Sequence, residues 1–379
     1  MKKIFYWSPY LSNVATIKNV LDSAYSLTKY GKNCFEPYII DVMGEWKNKK
    51  KNIIEKKVNY LKLGSSNIRL PISGFFKSRL ISIYIYFHNL IPLFFLIKKE
   101  KPNYLIIHLL TSIPLTLLIL FNFKTKFILR ISGLPKLNFF RKLLWKLVAK
   151  KLFLITCPSR ETVDYIVETK IFEKNKVVLL QDPIINISEI MKKKKKIVDV
   201  RDLKNSFFLS IGRLTKQKNH QILIDLFVNL NKKKKNNYLY IIGDGEEKEE
   251  LQKKIFDSNL QNNIFLLGYK KNVYPYILLS KAIISPSLWE DPGAVMIEAA
   301  FCNKVVISSD CKNGPKEFLM NNKAGYLFEN GKLASLVNVV STFMEDSQIQ
   351  IYEKKKLAKI NSKKYTIFNH FTVLRKFLI

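Results

Sequence analysis

The chain has 379 residues, 47% hydrophobic and 25% charged, long enough for two domains with separate cores and too apolar to be disordered or fibrous. Its four cysteines, Cys34, Cys157, Cys302 and Cys311, have neither the number nor the spacing of a disulfide scaffold or a zinc ribbon, and they fit a reducing compartment. Sixty-four Lys and Arg against thirty Asp and Glu give a net charge of +34, a field that attracts nucleic acid, anionic lipid or phosphorylated substrates.

The charge is unevenly spread. Residues 1–150 hold 26 basic and 6 acidic side chains, and between Glu100 and Glu161 there are eleven basic residues and no acidic one. Lys, Asn and Ile are abundant throughout, as an AT-rich genome dictates, so part of the excess is compositional. The start, MKKIFYWSPYLSNV, has no apolar stretch long enough for a signal peptide.

Short apolar runs alternate with helical stretches. Lys3–Trp7 predicts a first strand, Ile17–Tyr30 a helix with apolar residues at 17, 20, 21, 24 and 27, and Pro37–Val42 the next strand. Leu80–Ile97 and Tyr104–Phe123 approach the roughly 20 apolar residues of a membrane span. His88, Asn89 and Pro92 in one, and His108, Ser112 and Pro114 in the other, point instead to buried strands, turns and helices. Lys126–Arg130, Leu152–Cys157 and Val177–Leu180 are further strands. Strands spaced by helices predict a parallel sheet covered on both faces.

The pattern breaks at Asp182-Pro183 and at the run Lys192–Lys196, which read as a solvated, basic linker over 186–204. Alternation then restarts with strands at Phe207–Ile211, Leu239–Ile242, Ile264–Leu267, Ala282–Ser285 and Val305–Ser308, and helices at about Asn219–Leu230, Glu246–Phe256 and Gly293–Phe301. The fold class is α/β: two Rossmann-like doubly wound domains, 1–185 and 205–355. Ligands of open α/β sheets bind outside the carboxyl ends of the strands, so a cleft between the two is expected to hold the site.

Four motifs in the second half carry chemistry. Gly212-Arg213-Leu214-Thr215-Lys216-Gln217-Lys218 joins a strand to a helix; such a loop offers backbone amides, and Arg213 and Lys218 add two cations suited to a diphosphate. Gly243-Asp244-Gly245 ends a buried strand, where glycine allows a sharp bend or close ligand approach. In Ser285–Ala300, Glu290 lies in a loop and Glu298 among apolar helix residues, an inward carboxylate that needs a partner such as a sugar diol or a basic side chain. Pro292-Gly293 opens that helix and leaves amides free for an anion or a sugar oxygen. Asn313-Gly314-Pro315-Lys316-Glu317 is a structural turn opening a helix.

The segment from Leu209 to about Phe328 resembles the donor-binding half of a retaining glycosyltransferase of the large "group 1" family (family 4), which has the GT-B fold. The resemblance rests on Gly212-Arg213…Lys218-Asn219, Gly243-Asp244-Gly245, Leu267-Gly268, Glu290-x7-Glu298 and Gly314-Pro315-x-Glu317, five features in the family's order. It implies that Arg213 and Lys218 bind the nucleotide diphosphate and stabilise its charge, and that Glu298 binds the ribose. It also places Glu290 near the donor sugar, the amides of Gly293, Ala294 and Val295 on sugar and phosphate oxygens, and Tyr269 beside the base. Gly212 and Gly243 belong to the same donor site. The co-substrate would be a nucleotide sugar, with no cofactor and no metal.

In the first half the family's glycine-rich loop is replaced by Ser8-Pro9-Tyr10-Leu11-Ser12-Asn13, where Ser12 and Asn13 supply the polar groups. The resemblance puts His108, after an apolar strand, near the donor sugar, or it is a satisfied core histidine. Arg130-Ile131-Ser132-Gly133 would face the same edge. The C-terminal segment 356–379 is expected to be a helix crossing back to the first domain.

Acceptors dock on the first domain in this fold. Asn138–Phe153 (NFFRKLLWKLVAKKLF) interleaves Phe, Leu and Trp with Arg141, Lys142, Lys146, Lys150 and Lys151, and either lies in an anionic membrane interface or packs as an ordinary helix on the sheet. With Leu80–Ile97 as a neighbouring apolar surface, this fits a lipid-linked acceptor and an enzyme peripheral on the cytoplasmic face of a bacterial plasma membrane, building lipopolysaccharide, O-antigen or capsule. The alternatives are a transferase acting on a soluble acceptor, as in sucrose or trehalose synthesis, and a basic nucleic-acid-binding protein. No nucleic-acid-binding motif or stacking platform supports the last.

Overall fold

A computed structural model of the chain describes residues 1–11, 15–64, 75–195, 203, 206–231 and 237–379. Ser12, Asn13 and most of 196–205 lie outside the described residues. The chain divides into two units, Met1–Ile184 with Ile367–Ile379, and Ile185–Thr366.

The first unit runs β1 (Lys2–Trp7), α1 (Ala15–Tyr30), β2 (Phe35–Asp41), α2 (Lys50–Glu55), β3 (Asn59–Lys62), α3 (Phe75–Glu100), β4 (Tyr104–Ile107), α4 (Ser112–Leu120), β5 (Lys126–Arg130), α5 (Phe139–Val148), β6 (Leu154–Cys157), α6 (Arg160–Glu168) and β7 (Val177–Leu179). Its parallel sheet has the order β3-β2-β1-β4-β5-β6-β7. Ile4, Phe5, Tyr6 and Trp7 are all fully buried, as expected for a central parallel strand with helices on both faces. The periodic residues of α1, Ile17, Val20, Leu21, Ala24 and Leu27, form one core layer with Phe371, Leu374 and Leu378. The opposite face is covered by α3 and α4, and by α5 through Trp145 and Val148.

The second unit contains α7 (Ile187–Lys195), β8 (Phe207–Ile211), α8 (Gln221–Asn231), β9 (Tyr238–Ile242), α9 (Lys248–Asp257), β10 (Ile264–Leu266), α10 (Tyr274–Leu279), β11 (Ala282–Ser285), α11 (Ala294–Phe301), β12 (Val305–Ser309), α12 (Pro315–Phe318), β13 (Tyr326–Phe328), α13 (Leu333–Glu345) and α14 (Gln348–Ser362). Its sheet order is β10-β9-β8-β11-β12-β13, again parallel. The last helix, α15 (Ile367–Leu378), belongs to the first unit.

Three expectations are corrected. Leu80–Ile97 is not a strand, turn and helix but part of the single helix α3, with Pro92 inside it. Asn89 fits because its side-chain Nδ2 donates to the Ile85 carbonyl one turn back, at 3.0 Å. The stretch read as a linker holds α7, anchored by the buried Ile190 and by Asn272 Nδ2 donating to the Lys193 carbonyl at 2.9 Å. The segment 356–379 holds the end of α14 and the whole of α15, and only α15 belongs to the first unit; a capping box at Ser347 and Gln350 starts α14.

Candidate active site

In the second sheet β8 and β11 are neighbours although β9 and β10 lie between them in sequence. The connections after β8 and β11 therefore leave to opposite sides, opening a crevice at the carboxyl edge. The loops bordering it, 212–220 and 286–293, carry Arg213, Lys218, Glu290 and Gly293.

The first loop is fixed from beneath. Gly212 N donates to Ile242 O, Leu214 N to Asp244 O and Glu247 N to Leu214 O, each at 3.0 Å, and Leu214 is buried. A Cβ at Gly243 would sit 1.8 Å from the Gly212 carbonyl oxygen, and one at Gly245 would sit 2.3 Å from that of Leu214. The close ligand approach expected at Gly243 is thus occupied by the neighbouring loop, and the glycine serves packing between the two. His220, also buried, lies behind the loop with Nδ1 3.3 Å from Ser210 Oγ. Burial and the nearby Lys218 push its pKa down to about 4, so its ring is neutral.

Lys218 Nζ donates to Glu290 Oε1 at 2.6 Å, and Ser287 Oγ donates to the same oxygen at 2.6 Å. Glu290 is buried, so the ammonium and the hydroxyl are what make its charge tolerable there. Arg213 differs: it is exposed, and its Nη2 donates to the neutral Gln217 Oε1 at 3.2 Å. Gln217 ties the two loops, its Nε2 donating to Trp289 O at 3.0 Å and its carbonyl accepting from Leu288 N at 2.8 Å. A cation held on a carboxylate and a second facing water, one on each side of Gln217, suit an incoming diphosphate.

Gly293 caps α11 at φ +92°, with no side chain to occupy the helix start. The first amides of the helix, at Ala294 and Val295, have no acceptor within it. Four residues further on, Glu298 is half-buried rather than turned into the core, and the buried Tyr274 Oη donates to its Oε1 at 3.1 Å. Tyr269 is 76% exposed after Gly268, whose φ is +66° and whose carbonyl accepts from Gly243 N at 3.1 Å. Arg213, Lys218, Glu290, Gly293 and Glu298 are therefore gathered on the loops and helix at one switch point. Ser287, Tyr274, Gln217 and His220 are additions that no local sequence pattern marks.

In the first unit His108 follows β4 and is buried with Arg130, Asp182, Ser23 and His370 around a cavity of about 10 Å³. Burial first, then the Arg130 charge, holds its pKa well below the ordinary histidine value. Its ring lies 6.1 Å from that of Tyr6. Arg130, expected at the ligand edge, is buried instead: it is ion-paired with Asp182 and donates to Leu180 O at 2.6 Å. Among the described residues no three His, Cys, Asp or Glu side chains gather in a metal-ligating group, and all four cysteines are free.

The strand order, with the cation-bearing loop beside the Gly293 helix start, defines a Rossmann-like unit. Residues 191–365 match the family described as "Glycosyl transferases group 1". An uncharacterized glycosyltransferase of Methanocaldococcus jannaschii is 47% identical over 117 residues, 31% of this chain and 29% of that protein. The N-acetylgalactosamine-N,N'-diacetylbacillosaminyl-diphospho-undecaprenol 4-alpha-N-acetylgalactosaminyltransferase of Campylobacter jejuni is 34% identical over 163 residues, 43% of this chain and 44% of that protein. The chain thus spans less than half the length of these curated relatives. Over its full length it superposes on the Anabaena protein Alr3699/HepE, solved in complex with UDP, with TM-score 0.74 and 14% identity, covering 100% of this chain and 99% of the other. The fold is GT-B.

Proposed function

We propose that the chain is a retaining glycosyltransferase that moves a sugar from a UDP-sugar to a growing, lipid-linked bacterial surface glycan, at the inner face of the plasma membrane. The observation that carries this reading is the Lys218–Glu290 pair beside the uncapped start of α11, with Arg213 exposed on the same loop. The lipid-linked acceptor draws support from the diphospho-undecaprenol substrate in the name of the Campylobacter relative, and the donor from the UDP bound to the Anabaena protein.

In this reading the diphosphate occupies the α11 amides and draws Lys218 toward it, while Arg213 covers the outer oxygens. Glu298, oriented by Tyr274, accepts from the ribose hydroxyls, Tyr269 lies beside the base, and Glu290 turns to the donor sugar. As the glycosidic bond breaks, negative charge grows on the leaving phosphate, where the two cations and the amide dipoles are already placed. The acceptor hydroxyl attacks the anomeric carbon on the face the diphosphate leaves, and its proton passes to the departing phosphate oxygen. No metal takes part.

The test is product analysis with a panel of UDP-sugars, offering polyprenyl-diphosphate-linked sugars and free sugars as acceptors in the presence of a chelator. One α-linked product from an α-linked donor, formed on the lipid-linked acceptor, is expected. An inverted anomer overturns the retaining mechanism, and transfer to free sugars alone overturns the lipid-linked acceptor.

A further inference from the structure

The helix α3 carries two apolar stripes, whereas packing on a sheet requires one. Ile85, Asn89, Leu93 and Ile97 recur every four residues and are buried, the three aliphatic ones within the core that contains Leu105, Ile107 and Leu115. The other stripe, Ile83, Tyr84, Phe87, Ile91 and Phe95, is at least half exposed throughout, Phe87 at 70%. The most apolar 18-residue window within Arg79–Glu100 has a mean hydropathy of 1.9, and only 22% of it is buried. By length and composition it can cross a membrane, but its inward stripe is committed to the core of this unit, which leaves it lying along a surface.

The helix α4 packs against both α3 and α5, and all three contribute to one core layer. Trp145 and Val148 hold α5 down, while Phe139, Phe140, Leu143 and Leu147 remain exposed. Around these apolar faces stand exposed Lys98, Lys99, Lys124, Arg141, Lys142 and Lys146. No carboxylate occurs between Glu100 and Glu161 to oppose them. A rim of one sign repels an identical rim, so a second copy is a poor occupant; it attracts a layer of negative headgroups over an apolar interior.

We propose that the exposed faces of α3 and α5 form a docking surface for an anionic lipid bilayer, with Phe87, Ile91, Phe95, Phe139 and Phe140 entering the interface and the cations lying among the headgroups. This deepens the membrane part of the function proposed above by naming the residues that meet the lipid, and none of them belongs to the donor site.

The experiment is flotation of the full chain with phosphatidylcholine vesicles, with and without phosphatidylglycerol, at low and high salt. UDP binding is measured on the same preparations. The wild type is expected to float with the anionic vesicles and to be released by salt. The pair Lys142→Glu with Lys146→Glu should lose about 30-fold or more in partition, and Phe87→Ser with Ile91→Ser at least about 10-fold. Both pairs replace exposed side chains, so their thermal unfolding and UDP affinity should match the wild type. Flotation that is absent, or unchanged in both variants, overturns the proposal. So does self-association in the absence of lipid that Phe87→Ser with Ile91→Ser abolishes, since it assigns the face to a second copy. Flotation without UDP binding leaves the docking surface standing and removes the transferase reading; UDP binding without flotation does the reverse.

Discussion

Lys218 and Glu290, 72 residues apart in sequence, meet at 2.6 Å across the switch point of the second sheet, the ammonium 20% and the carboxylate 9% exposed. Without an anion in the crevice each is the other's counter-charge. In the proposed function, an arriving diphosphate would compete with Glu290 for Lys218 and release a carboxylate next to the incoming sugar, so that one pair would link anion binding to the placement of a donor-sugar contact.

Substituting Lys218 by Met removes that counter-charge and leaves Glu290 buried with only the Ser287 hydroxyl. A loss of about 2–4 kcal/mol in stability is expected, together with a fall in turnover. Glu290→Gln keeps an acceptor for Ser287 and should cost less stability than Lys218→Met. Urea unfolding of both variants checks the order; equal stabilities would show that the pair does not hold the two loops.

Arg213 is exposed and bonded to a neutral amide, so Arg213→Ala should change stability by no more than about 0.5 kcal/mol. Its removal from a developing diphosphate charge should nonetheless lower turnover by about 10- to 1,000-fold. Steady-state kinetics beside a thermal melt separate the two effects, and a melt displaced as far as that of Lys218→Met would give Arg213 a structural role.

Tyr274 touches Glu298, the residue assigned to the ribose in the proposed function. Tyr274→Phe removes one hydrogen bond, worth about 1 kcal/mol, and should raise KM for the nucleotide sugar about 5-fold with kcat nearly unchanged, as expected for a positioning residue. A fall in kcat at constant KM would contradict this role.

Several of these relationships are invisible in the sequence for a physical reason. The strands β1, β4, β5, β8 and β11 announce themselves as apolar runs because both faces of a parallel sheet are covered. The edge strands β3 and β13 do not, since the half-buried Asn59–Lys62 lacks such a run and Tyr326–Phe328 is only three residues long. The loop and helix that carry Arg213, Lys218, Glu290 and Glu298 were legible from glycine placement and charge. Their partners Ser287 and Tyr274 were not, because a hydrogen bond between separate elements leaves no periodic trace. The helix α3 was misread because a proline and two polar residues look like breaks, whereas Asn89 satisfies itself on the preceding turn.

Stability should fall on acidification. His370 donates from Nδ1 to the Gln181 carbonyl at 2.7 Å and lies 2.8 Å through Nε2 from Ser23 Oγ. Burial pushes its pKa down to about 3, that of His220 to about 4, and that of His108 well below its ordinary value. All three folded values lie below the unfolded value of about 6.5, so the unfolded chain takes up protons that the folded chain refuses. Stability is therefore complete above about pH 6.5 and declines as the pH falls toward the folded values, by about 1.4 kcal/mol per pH unit for each proton. Glu45, whose carboxyl is raised by burial and by Asp41, works in the opposite direction and offsets part of this slope. Urea midpoints between about pH 7 and pH 5 should drop, and His370→Gln should flatten the drop; a flat profile in the wild type would show that these rings titrate normally.

The most direct test of the central claim is calorimetric titration of the wild type and Arg213→Ala with UDP, GDP, ADP and CMP, each with a chelator present. UDP is expected to bind the wild type, the other nucleotides to bind weakly or not at all, and Arg213→Ala to lose about 10-fold or more in UDP affinity, the scale of one charge-assisted contact to phosphate. Absence of nucleotide binding, or UDP affinity unaltered by Arg213→Ala, would contradict the assignment of the loop after β8 as the diphosphate site.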